Sequence, residues 1–192
     1  MTEKSIIFGF FGTVCDPVVS AWLGKHFLTS VIHDIQDEVI SQADLGRVSF
    51  DEVLTYLAQK SGIHAATIRR EFYELAKVRK DMVQLMEEIH RKYDVYLATN
   101  TIEEFFYGIT DVKTACMWCK EVYISSKLGF SKPDPRFYNY ILNDNGLLPG
   151  DVIYIDASYM DIEAATRLGL QTIKFTQWMN LREELKALGI EL

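Results

Sequence analysis

Apolar residues are distributed along this chain in two distinct patterns. Five short runs are nearly unbroken: Ile6 to Phe11, Val95 to Ala98, Val122 to Ile124, Val152 to Ile155 and Thr172 to Phe175. They are rich in β-branched and aromatic residues and lack the polar alternation of a half-exposed strand, so they read as strands covered on both faces. From about residue 80 onward the runs are separated by stretches with apolar residues at helical spacing. A β-α-β-α order of this kind builds a parallel sheet with helices on both faces.

The interval between the first run and the second is far longer than one crossover helix needs, and it contains no strand candidate. Asp16-Pro17 reads as an N-cap followed by proline at the first helical position, opening a helix through Trp22, Phe27, Val31 and Ile35. Ser49-Phe50-Asp51-Glu52 is a capping box, and Phe50, Val53, Leu54, Leu57 and Ala58 follow at helical spacing before Ser61-Gly62. A third helix fits Ala65 to Ala76. The expected fold class is α/β: a Rossmann-like parallel sheet flanked by helices, formed by residues 1–16 and 79–192, with an inserted α-helical cap over 17–78.

Composition narrows the function classes. The chain has 192 residues, enough to bury roughly 70% of its unfolded surface in one core. Its 20 Lys and Arg against 27 Asp and Glu leave a net charge of −7 with no dense basic run, which argues against a nucleic-acid partner. The first apolar stretch falls far short of the ~20 residues that span a bilayer, so no membrane association is expected. Three cysteines, Cys15, Cys116 and Cys119, are an odd number and suit a reducing, cytoplasmic setting. Cys116-Met117-Trp118-Cys119 lacks the second pair a zinc site would want and reads as ordinary thiols. His26, His33, His64 and His90 fall in helices or at their starts, away from the strand ends.

Ligands of open parallel sheets sit at the carboxyl ends of the strands. The first run is followed by Gly12-Thr13, the second by Thr99-Asn100, the third by a loop with Lys132-Pro133-Asp134-Pro135, and the fourth by Asp156-Ala157-Ser158 with Asp161 beyond. Each group alone has a bland reading as a cap or a loop charge. Together they converge on one edge of one sheet. This order resembles the haloacid dehalogenase superfamily of phosphatases, phosphotransferases and dehalogenases. That family carries Asp-x-Asp-Gly-Thr or Asp-x-aromatic-Gly-Thr after its first strand, Thr/Ser after the second, Lys before Pro-Asp-Pro, and one or two Asp after the fourth. The insertion after the first motif resembles the family's helical cap.

The departure lies in the first motif, which here reads Gly9-Phe10-Phe11-Gly12-Thr13. The resemblance implies catalytic positions at Gly9, Phe11, Thr99 and Lys132, ligand contacts at Gly12, Thr13, Thr99, Asn100 and Lys132, and metal ligands at Asp156 and Asp161. Gly9 stands where the family has its nucleophilic, Mg²⁺-binding aspartate, and Phe11 stands at the acid/base position; neither can attack or transfer a proton. Mg²⁺ is therefore expected to bind weakly, because two carboxylates make a poor octahedral set. The expected partner is a small anionic or phosphorylated molecule held by Thr99, Lys132 and strand-end N–H groups. Two readings stay open: a catalytically impaired family member that retains an anion pocket, or an active phosphatase or dehalogenase in which Gly9 is an introduced substitution or another nucleophile serves, Cys15 being one option.

Overall fold

The computed structural model describes residues 4–192. The first three residues of the expected core lie outside the described ones. The five apolar runs become β1 (Ser5–Gly9), β2 (Asp94–Thr99), β3 (Glu121–Ile124), β4 (Val152–Asp156) and β5 (Gln171–Lys174). All pair in parallel in the order β3-β2-β1-β4-β5, so β1 is central. The chain builds outward from β1 to one side through β2 and β3, then crosses to β4 and β5 on the other. The point where the order reverses is the β1/β4 junction, the place where such sheets open a ligand crevice.

The helices before β2 are α1 (Val19–His26), α2 (Thr29–Ile35), α3 (Ser41–Asp44), α4 (Phe50–Ser61), α5 (Ala65–Leu75) and α6 (Lys80–His90). After β2 come α7 (Glu103–Ile109), α8 (Val112–Trp118), α9 (Ser125–Leu128), α10 (Pro135–Asn145), α11 (Tyr159–Arg167) and α12 (Trp178–Ala187). One sheet face is covered by a cluster including Ile6, Phe8, Met82, Leu85, Val95 and Leu97; the other includes Ile7, Tyr96, Phe137, Tyr138 and Tyr154. This is the two-sided burial that unbroken apolar runs demand. Helices α1 to α5 build a cluster of their own around Trp22, Leu23, Leu57, Ile68 and Phe72, which reaches Phe105 of α7. The seam between insertion and core is close: Gly46 sits at φ +72°, and a Cβ there would lie 3.1 Å from the Ser126 carbonyl carbon.

The capping box forms as expected: the Ser49 side chain accepts from the Glu52 N–H, and the Glu52 carboxylate accepts from the Ser49 N–H at 2.8 Å. The first insertion helix differs. Asp16 is not an N-cap. Its carboxylate accepts from Arg79 Nε at 3.1 Å and Nη2 at 2.8 Å, while Arg79 Nη1 donates to the Gly12 and Thr13 carbonyls. The backbone joins in, with Asp16 N–H donating to Lys77 and Arg79 N–H to Val14. Two chain crossings, entering and leaving the insertion, are thus tied together. Nor does one helix run from Trp22 to Ile35. The backbone extends at Phe27 and Leu28, and α2 then continues through a wide π turn, Gln36–Ile40, into α3. Local periodicity cannot report such a turn.

Candidate active site

Every residue expected at the site lies at the carboxyl edge of the sheet, around the β1/β4 junction. Their polar groups, however, are largely committed to one another. Lys132 Nζ donates to Asp156 Oδ2 at 2.6 Å and to the Tyr154 hydroxyl at 3.1 Å, and it lies 3.1 Å from Asp161 Oδ2. The Tyr154 hydroxyl also donates to Asp156 Oδ2 at 2.5 Å, and the Ser158 N–H donates to Asp156 Oδ1. An ammonium has three donors, and all three have acceptors here. Burial disfavours the charged lysine, but Asp156 and Asp161 outweigh it and hold Lys132 above the ordinary lysine range. Burial, reinforced by Asp156 against the pull of Lys132, raises the Asp161 carboxyl.

Gly9 explains how this cluster fits. β1 and β4 are neighbours, and Gly9 presents no side chain to the space beside Asp156. A Cβ at position 9 would overlap Asp156 Oδ2 and stand 2.5 Å from its Cγ. The carboxylate of Asp156 fills the volume that any side chain at position 9 would need.

The loop after β1 is equally committed. The N–H groups of Thr13, Val14 and Cys15 converge on the Phe10 carbonyl, the Gly12 N–H donates to Cys15, and Thr13 Oγ1 accepts from the Ala157 N–H. Asn100 clamps the Lys132 backbone, donating to its carbonyl and accepting from its N–H. These groups were expected to face an anion; in this arrangement they face protein. The Thr99 hydroxyl differs: it is buried with no hydrogen-bond partner among the described residues. Cys15 is fully buried, and burial first, then Asp16, pushes its thiol up to about 12, leaving essentially no thiolate at neutral pH. Cys119 is similarly buried and Cys116 exposed, and all three cysteines are free thiols. His64 caps α5 by accepting from the Ala66 N–H.

Above this edge, between insertion and core, lies a cavity of about 390 Å³. Phe11, Phe50, Phe72 and Phe105 form its aromatic wall, with Phe11 and Phe105 stacked at 6.1 Å and Phe50 5.0 Å from Phe105. Phe11 therefore faces the cavity as a ring surface, its phenyl without a transferable proton. Asp44, at the end of α3, is the one ionisable residue in the lining among the described residues. Sequence reasoning missed Asp44, Tyr154 and Arg79. Tyr154 was within reach, since it lies two residues before Asp156 and so shares its sheet face.

This site and fold define a haloacid dehalogenase-type α/β protein. The family model described as haloacid dehalogenase-like hydrolase matches residues 3–169, and the chain belongs to that family. Among curated proteins it is similar to a D-ribitol-5-phosphate phosphatase of Bacteroides thetaiotaomicron, 22% identical over 95% of this chain and 96% of that one. It is also similar to a sesquiterpene phosphatase of Aspergillus oryzae, 23% identical over 97% of each. Among solved structures, a haloacid dehalogenase family enzyme from B. thetaiotaomicron superposes with a TM-score of 0.79 at 17% identity, over 95% of this chain and 99% of that chain. The same enzyme has been solved as a complex with magnesium and inorganic phosphate. No helix among the described residues is long and apolar enough to cross a membrane.

Proposed function

We propose that this chain is a non-hydrolytic member of its family, a cytoplasmic protein that uses the space between a helical cap, residues 17–78, and the sheet edge to bind a small molecule. The observation that carries this reading is Gly9. The position that would bear a nucleophile has no side chain, and the Asp156 carboxylate occupies the volume where one would stand. Deleting a nucleophile from a working constellation lowers turnover by on the order of 10⁴-fold or more. Cys15, buried and protonated, offers no replacement.

The residues do not fit a divalent metal. Asp156 and Asp161 would have to hold it, yet both carboxylates lie against the Lys132 ammonium, and no cluster of three or more His, Cys, Asp or Glu stands ready among the described residues. A second cation beside the ammonium would be repelled in a poorly solvated site. We therefore read Mg²⁺ affinity as weak. The curated relatives act on phosphorylated small molecules. In this chain the unpartnered Thr99 hydroxyl supports room for one polar ligand atom at the edge.

The test is direct. With Mg²⁺ present, the purified chain should release no phosphate above background from p-nitrophenyl phosphate or small sugar phosphates, and no halide from 2-haloacids. Mg²⁺-dependent turnover abolished by Lys132→Ala would overturn the proposal.

A further inference from the structure

The cavity between the helical insertion and the sheet edge has a chemistry different from that of the edge itself, and this deepens the ligand-binding reading above. Most of its wall is apolar, with four phenylalanine rings joined by Val18, Ile40 and Val53. Into this wall the helical rod of α2, the π turn and α3 presents Gln36, Ile40 and Asp44, four residues apart and hence stacked on one face. π turns are rare and occur disproportionately at functional sites.

Asp44 is half-buried and makes no hydrogen bond or ion pair with any described residue. It also sits at the carboxyl end of its helix, where the backbone dipole disfavours an anion. Burial pushes its carboxyl up to about 7 despite the opposing pull of Lys132. A carboxylate placed this badly for stability, with no partner of its own, lacks a counter-charge. The surrounding charge agrees: three carboxylates, Asp44, Asp156 and Asp161, stand against the ammonium of Lys132, whose donors are all in use, and the nearby Arg69 guanidinium is already paired with Asp51 and Glu104. A phosphate brought here would meet net negative charge. A cation would meet both the free carboxylate and the faces of aromatic rings, the pairing that recognises ammonium groups. Phe50 already accepts one cation in this way, with the Arg69 guanidinium 4.6 Å from its ring centre.

We propose that this cavity binds a small amine: an apolar aryl or alkyl body packed among Phe11, Phe50, Phe72 and Phe105, with its ammonium on Asp44. The volume is at the lower end of small-molecule sites, so a compact ligand is the fitting size.

The test is calorimetric titration of the full chain, without Mg²⁺, using three probes of one shape: 2-phenylethylamine, 2-phenylethanol and 2-phenylethyl phosphate. The amine should bind at least about tenfold more tightly than the alcohol. Asp44→Asn should erase that advantage while leaving alcohol binding unchanged, and Ile40→Trp, which fills the cavity, should weaken both. Equal affinity of amine and alcohol, an amine preference that survives Asp44→Asn, failure of the amine to bind, or tightest binding of the phosphate would each overturn the amine assignment. Release of phosphate from 2-phenylethyl phosphate in a separate assay would end the non-hydrolytic reading instead, and the two failures are read by different instruments.

Discussion

The sheet edge and the cavity above it are separated by a few residues and obey opposite rules. At the edge, Lys132, Tyr154, Asp156 and Asp161 are buried and satisfy one another, and the glycine at position 9 makes room for them. In the cavity the wall is mostly apolar, and its acid, Asp44, has no hydrogen-bond or ion-pair partner among the described residues. A self-satisfied polar cluster contributes to holding the fold, because its charges gain nothing from an outside molecule. An unsatisfied group in an apolar wall does the reverse, lowering stability until something binds. The family's motif positions lie in the first region, whereas the amine site proposed above lies in the second.

The largest effect expected from this contrast comes from breaking the edge. Lys132→Met strands two carboxylates in the interior, and removing one partner of a buried ion pair costs about 3–5 kcal/mol. Urea unfolding at pH 7 should show that loss, and the loss should shrink as pH falls and the carboxylates take up protons. A loss under about 1 kcal/mol would mean that the cluster is not a buried ionic unit.

Next in size is Gly9→Ala, which drives a methyl into Asp156 and should cost about 1–3 kcal/mol. Gly9→Asp should be destabilised likewise and release no phosphate, since its carboxylate and that of Asp156 compete for one volume. Turnover by that single variant would show that the edge is readily rearranged.

Gly46→Ala probes the seam where the insertion meets Ser126. The left-handed backbone and the close carbonyl together should cost about 1–2 kcal/mol and raise protease sensitivity between residues 17 and 78. An unchanged digestion pattern would show that the seam does not hold the insertion down.

The remaining effect has the opposite sign. The folded-state pKa of Asp44 is raised, so its ionisation costs stability progressively between the unfolded value near ~4 and about 7. Asp44→Asn should therefore leave the thermal midpoint nearly unchanged at pH 4 and raise it at pH 8, with the difference growing between those two values. A lower midpoint at pH 8 would mean that the carboxylate has a protein partner after all.

Much of the fold was legible in the residues. Unbroken apolar runs marked all five strands, and Ser49 with Glu52 marked the start of α4, because those signals are local. The first run read two residues too long: Phe10 and Phe11 turn out of the sheet into two different apolar clusters. Asp16 was misread because a guanidinium 63 residues away outcompetes the helix N-terminus for its carboxylate. The absence of a side chain at Gly9 could be read directly, but the group that fills the space beside it comes from Asp156, and no local pattern carries that contact. Asp44 was invisible for a related reason. Before Leu45-Gly46 it looks like the polar end of a helix, and only the folded chain sets it among phenyl rings.

The π turn at Gln36–Ile40 has a consequence for how this chain can tolerate insertions and deletions. A wide turn absorbs about one residue more than an α-helix would over the same rise. Removing one residue there would let the rod relax to ordinary α-helix while the helix beyond kept its phase, so Asp44 would stay on the cavity face. An insertion or deletion where a helix is already regular would instead rotate everything beyond it by roughly 100° about the axis. A homologue could therefore lose one codon at the wide turn and still present an acid to the cavity.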